Sequence, residues 1–210
     1  MYAALSSKDW ELASSLFELA RGSDFRGPHG EPFLHMLAHM NVPTSLFSLA
    51  FTRHSNNLLD EYDGFMCLHV ALLCGAPLET LYLLLQRHPP GPLPSARSKR
   101  PGVTLGLTPL CCALLAEPPA PLPVIDALLR RDKMAASVEC EGLGTPLCLS
   151  LRRKASVGVV HAIFTAHPEA AAIPFSPLLF PQQQPSYPPP VFIASPCTLS
   201  TSLVRTALRL

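Results

Sequence analysis

DGFMCLHVALLCGAPLETLYLLLQRH, residues Asp63 to His88, is the stretch from which the rest of the chain can be read. It opens with a turn at Asp63-Gly64 and continues as a short apolar helix carrying Leu68, Ala71 and Leu72. Gly75 and Pro77 then break the chain, and a second helix follows with Leu81, Leu84 and Leu85 at i, i+3, i+4 spacing. Neither helix can bury its apolar face alone, whereas copies stacked side by side can.

The pattern returns. Moved back by 34 residues, Leu68, His69, Pro77, Leu81, Leu85, Arg87 and His88 fall on Leu34, His35, Pro43, Phe47, Phe51, Arg53 and His54. Moved forward, Leu68 and Ala71 fall on Leu110 and Ala113, then on Leu147 and Ser150. In the second helices, Leu81, Leu84 and Leu85 correspond to Ile125, Leu128 and Leu129, then to Val160, Ile163 and Phe164. Helices are expected near 8–20, 33–40, 44–54, 67–74, 78–88, 109–116, 122–132, 146–153 and 157–166.

Gly-Leu-Thr-Pro-Leu at 106–110, Gly-Thr-Pro-Leu at 144–147 and Leu-His-Val-Ala at 68–71 resemble the openings of ankyrin repeats. The leucine-rich second helices resemble that family too. The resemblance covers roughly residues 28–171 and implies an all-α, ankyrin-like solenoid of helix-turn-helix repeats. It also implies a non-catalytic scaffold that binds another protein, and it names no partner. Thr108-Pro109 and Thr145-Pro146 supply an N-cap and a first helical proline in units three and four. Units one and two carry Pro32-Phe33 and Met66-Cys67 there instead. A missing Thr cap costs about 1 kcal/mol, so an uneven array is expected. In the family, the histidine of this motif ties neighbouring turns by hydrogen bonds. Here that implication reaches only His35 and His69, because Cys111 and Cys148 take the place in the last two units.

Around the repeats the chain divides as follows. Residues 1–27 hold an N-terminal capping helix, with Ser7 as its expected N-cap and Trp10 over the edge of the stack or, alternatively, against a ligand. The four units run 28–62, 63–104, 105–141 and 142–171. The second contains a Pro-rich insert, 89–102, expected to be an irregular loop. Its cluster Arg97-Ser98-Lys99-Arg100 reads either as a solvated loop or as a nuclear-import or nucleic-acid patch. Residues 172–196 are a Pro-rich linker, with a polyproline-binding partner as the other reading. Residues 197–210 form a C-terminal helix candidate, either the start of a truncated fifth repeat or a membrane-surface segment.

Composition narrows the function. Charged residues make up only 15% of the chain and the net charge is +1, which gives no overall pull toward nucleic acid or acidic surfaces. No run reaches the roughly 18 apolar residues of a spanning helix, and the first residues lack a signal-peptide pattern. The seven cysteines fall mostly on expected helix faces, which points to reduced thiols and a cytoplasmic or nuclear location. Cys111-Cys112 are adjacent, and Cys140 and Cys148 lie eight apart, neither a zinc-site spacing. Cys67 and His69, two apart on a helix, cannot face each other as a catalytic pair. The sequence thus gives no enzyme, cofactor, metal or small-molecule substrate.

The candidate site comes from the resemblance, in which turn tips and the exposed side of the first helices form the concave contact surface. The matching residues are His29, Glu31, His39 and Met40 in unit one, and Tyr62, Asp63, Phe65, Leu73 and Cys74 in unit two. Unit three gives Leu107 and Leu115, and unit four Glu141, Arg152 and Arg153. Such a surface, apolar in the middle and basic at one end, suits a partner with an apolar patch flanked by acidic residues. The other reading is that Phe65 and Leu107 pack on neighbouring turns. An alternative function, a nuclear or nucleic-acid accessory, would use Arg97–Arg100 and Arg152–Lys154.

Overall fold

A computed structural model of the protein describes residues 2–19, 25–54, 58–89, 93–97, 106–140 and 143–172. Among these the chain forms ten α-helices and one two-stranded sheet. The helices are α1 (Tyr2–Ser6), α2 (Trp10–Leu19), α3 (Phe33–His39), α4 (Thr44–Arg53) and α5 (Cys67–Leu73). They continue with α6 (Leu78–Arg87), α7 (Pro109–Leu115), α8 (Leu122–Arg131), α9 (Pro146–Arg152) and α10 (Val157–Ala166). The expectations for the C-terminal helix, for the linker beyond Ala172, for Glu141 and for Ser98–Arg100 lie outside the described residues.

The helices pack in two rows. In the inner row α3 lies against α5, α5 against α7 and α7 against α9. In the outer row α2, α4, α6, α8 and α10 follow one another in the same way. Each inner helix also packs on the outer helix that follows it in sequence, so one core runs between the rows. Leu84, Leu128 and Ile163, at one repeat position in α6, α8 and α10, are all buried in that core.

Short inner helices depend on their ends, and the four units end them in related ways. Thr108 and Thr145 accept hydrogen bonds from the backbone N–H groups of Cys111 (3.2 Å) and Cys148 (3.3 Å), as their N-cap positions predict. In α5 the bond runs the other way. His69, three residues into the helix, accepts the backbone N–H of Met66 at Nδ1 (3.2 Å), the reciprocal half of a capping box. The imidazole therefore compensates the missing threonine. At α3 the N-cap is Pro32, which has no N–H to give, and Nδ1 of the buried His35 is left without a partner.

The C-termini of α3, α5 and α9 repeat a single device. Asn41, Gly75 and Lys154 take positive φ of 52°, 65° and 52° just past the helix. The next residue then donates back across the last turn, Val42 N to Leu37 O, Ala76 N to Ala71 O and Ala155 N to Ser150 O. This is the Schellman closure, and only Gly75 adopts it free of Cβ strain. Unit three departs from it: α7 ends at Ala116, and Glu117-Pro118 carries a cis peptide bond.

Adjacent outer helices are tied by arginines that the sequence repeat contained but whose role it did not reveal. Arg53, in the last turn of α4, donates to Phe17 O of α2 (2.9 Å). The equivalent Arg131 of α8 donates to Leu85 O of α6 (3.3 Å), to His88 O (2.5 Å) and to Pro89 O. Each guanidinium thus satisfies carbonyls that the preceding helix leaves unpaired at its C-terminus. Arg87, at the same repeat position, instead lies 6.0 Å over the Phe51 ring and is exposed. Arg131→Ala is expected to lower the unfolding free energy by about 1–3 kcal/mol, and Arg87→Ala by under about 1 kcal/mol. Urea denaturation of the two variants side by side checks this, and equal losses would contradict it.

Three sequence expectations need correction. The N-terminal helix is not capped by Ser7. Residues 2–6 form a helix of their own, Ser7 closes it by donating to Ala4 O (3.1 Å), and Asp9 caps α2 by accepting Leu12 N–H (3.0 Å). Trp10 is half-buried against the core, in keeping with an edge position. The insert is not wholly irregular either. Ala96–Arg97 (β1) pairs antiparallel with Gly106–Leu107 (β2), because the chain must enter unit three through the same paired tip that the other units use. Finally, not all cysteines are thiols. Cys111 and Cys140, 29 residues apart, are joined by a disulfide between α7 and the tip of unit four, while Cys67, Cys74, Cys112 and Cys148 take no part in a disulfide. Burial pushes the Cys67 and Cys112 thiols up, so these two behave as small apolar side chains.

Candidate functional site

Each unit begins with a tight tip whose two arms bridge, Arg26 with Pro32, Tyr62 with Phe65, β1 with β2, and Cys140 with Gly144. The tip of unit two is the sharpest. Asp63 and Gly64 take φ of 52° and 84°, two successive left-handed residues as tight hairpin turns require. Tyr62 and Phe65 exchange backbone hydrogen bonds of 2.9 and 3.0 Å across it. The tip is held from below as well as from the side. His35 of the preceding unit donates from Nε2 to Phe65 O (2.9 Å), and Tyr62 donates its hydroxyl to His29 O (2.8 Å).

The family-implied tie between neighbouring turns is therefore present at His35. At His69 the matching nitrogen completes no hydrogen bond of good geometry. Burial holds both imidazoles below the ordinary histidine range. For His35 the Phe65 carbonyl, Asp60 and Glu31 oppose the shift. His69 is driven down to about 4, with the Pro94 carbonyl opposing and His88 and His35 reinforcing. Both rings are neutral at physiological pH and serve the fold.

The candidate residues separate into three groups. His29 is exposed, and His39, Met40, Tyr62, Asp63, Phe65, Leu73, Cys74, Leu115, Arg152 and Arg153 are half-buried, each with part of its surface open to solvent. Glu31 and Leu107 are buried and offer no contact surface. The Glu31 carboxylate accepts the His29 backbone N–H (2.9 Å), and Leu107 belongs to the core, as the packing reading of that residue held. Glu141 lies outside the described residues.

The accessible members meet across the seams between units. His29 meets Tyr62, and His39 Nδ1 lies 3.6 Å from Cys74 Sγ. Arg153 reaches back to Leu115 O (3.3 Å) and Ala116 O (3.4 Å) at the C-terminus of α7. That arginine is a structural tie, so the basic end of the surface is narrower than the sequence implied. Sequence reasoning missed these pairings, although their spacings of 33, 35 and 38 residues follow the repeat.

The His39–Cys74 pair has the atoms of a thiol and a base. Burial lowers the His39 pKa against an opposing pull from Glu31. Among the described residues no group of three or more His, Cys, Asp or Glu is placed to hold a metal ion. No described helix is long and apolar enough to cross a membrane. Compared with known proteins, the sequence matches no family model and no curated relative.

Proposed function

We propose that the chain is a degenerate ankyrin-like repeat scaffold that binds another protein through its tips and the accessible side of the inner helices. The observation that supports this most is the tip of unit two. Tyr62, Asp63 and Phe65 are partly exposed, Phe65 with its other side packed against the core, on a turn fixed by His35 from beneath and by Tyr62 bonding His29 alongside. Rigid, partly exposed aromatic groups lose little entropy on binding, which is why such groups dominate interface energetics. His39, Leu73, Cys74 and Leu115 continue the surface along the inner row, and Arg152 marks its basic end. The fitting partner is a protein with an apolar patch flanked by acidic groups.

The test is binding to a partner captured from lysate by the whole chain. Tyr62→Ala with Phe65→Ala is expected to weaken that binding at least a hundredfold while the far-ultraviolet helical signal persists. Arg152→Glu should weaken it less, and less still at high salt. Normal binding by both variants, with capture by a 174–210 peptide alone, would sink the proposal.

A further inference from the structure

The far end of the array is open, and its openness is readable by comparing equivalent positions. Leu151 of α9 corresponds to Ala38, Leu72 and Leu114 in the three earlier inner helices. Those three are at most 1% exposed, and Leu151 is 59% exposed. Phe164 of α10 corresponds to Phe51, Leu85 and Leu129, which are buried, and it is 43% exposed. Val160 is half-buried where Phe47, Leu81 and Ile125 are buried. In each earlier unit these positions lie under the next pair of helices, since α5 covers α3, α7 covers α5 and α9 covers α7. The exposed face is therefore a repeat interface with its covering unit missing from the described residues.

The connector beyond α10 agrees. Asp132 after α8 has φ −143° and ψ 87°, and His167 after α10 has φ −146° and ψ 81°. Both accept a 3.2 Å bond from the residue three further on, Ala135 and Ala170, within a 3-10 turn. After α8 this turn leads into the next unit, and Ala136 is buried, packed within the core. The matching Ala171 after α10 is exposed. As far as Ala172, the fourth unit thus ends in the same turn by which the third leads into the next unit.

We propose that the open face of α9 and α10 is covered by this chain's own segment beginning at Ser195, docked as a fifth inner helix. Ser195-Pro196-Cys197-Thr198-Leu199-Ser200 reproduces Thr145-Pro146-Leu147-Cys148-Leu149-Ser150 with a hydroxyl cap, proline at the first helical position, and leucine and serine in the same places. Residues 173–194 reach roughly 70 Å when extended, far beyond the step of about 10 Å between packed helices. The tether therefore spans the step with chain to spare, and it makes docking of the segment an intramolecular event.

Amide hydrogen exchange on the full chain tests this. In wild type, residues 146–152 and 157–166 should exchange slowly and independently of protein concentration, and light scattering should give a monomer. Leu199→Asp should speed exchange there at least tenfold while leaving α3–α6 unchanged, and Tyr187→Asp should change neither. Phe164→Ser, on the face itself, should reproduce the effect of Leu199→Asp. Exchange within twofold of wild type in Leu199→Asp would overturn the proposal. So would protection that grows with concentration alongside a doubled mass, which would assign the face to a second copy.

Discussion

Leu84→Ala and Leu128→Ala should each lower the unfolding free energy by about 2–5 kcal/mol. Both side chains are buried at the same position of successive outer helices, between the two rows, where deletion leaves a cavity rather than a surface notch. The loss is a large part of the 5–15 kcal/mol typical of whole domains. Ile163 holds the position in α10, and Ala50 holds it in α4, so unit one already carries the small residue there. Urea denaturation followed by circular dichroism reads the effect. A change below about 0.5 kcal/mol at Leu128 would mean that the repeat register is misassigned.

Acid should destabilise the protein before its carboxylates titrate. His35, His39, His69 and His88 all have folded-state pKa values below the ordinary 6.5, chiefly through burial. The unfolded chain then takes up protons that the folded chain refuses. Stability is complete above about pH 6.5 and falls as pH drops toward the folded values, about 4 for His69. At about 1.4 kcal/mol per pH unit for each such group, His69 alone removes about 2 kcal/mol between pH 6.5 and 5. His69→Gln should flatten the profile over that interval, whatever its stability at pH 7. An unchanged slope in the variant would show that His69 does not stay neutral in the fold.

Most helix positions were legible because the pattern had four copies, and the copies agree on where polar breaks fall. Seven of the inner and outer helices start where expected and end one residue early, just before Met40, His54, Cys74, His88, Ala116, Asp132 and Arg153. Those residues are C-caps. Their N–H groups still bond into the last turn, as His54 N does to Ala50 O, although they lie just past the last helical residue. Helix α1 was missed because five residues are too short to show a period. The arginine ties and the Cys111–Cys140 link were illegible for another reason. Each joins groups whose partner is set by stacking, which a sequence shows only as a recurring residue with no visible duty.

The candidate site was legible in part. Repeat position identified the tip of unit two and the ends of the inner helices, and these are accessible in the structure. It could not separate Glu31 and Leu107 from them, since one pairs inside its own tip and the other turns into the core. Nor could it show that Arg153 is occupied by Leu115 and Ala116.

The central claim, that a protein partner sits on the tips and inner row, is tested most directly by a hydrogen-exchange footprint of the captured complex. Slowed exchange at 62–65, 39–40, 73–74 and 115, with α4, α6 and α8 unchanged, is the predicted result. Slowing confined to the outer helices, or to residues beyond 172, would contradict it.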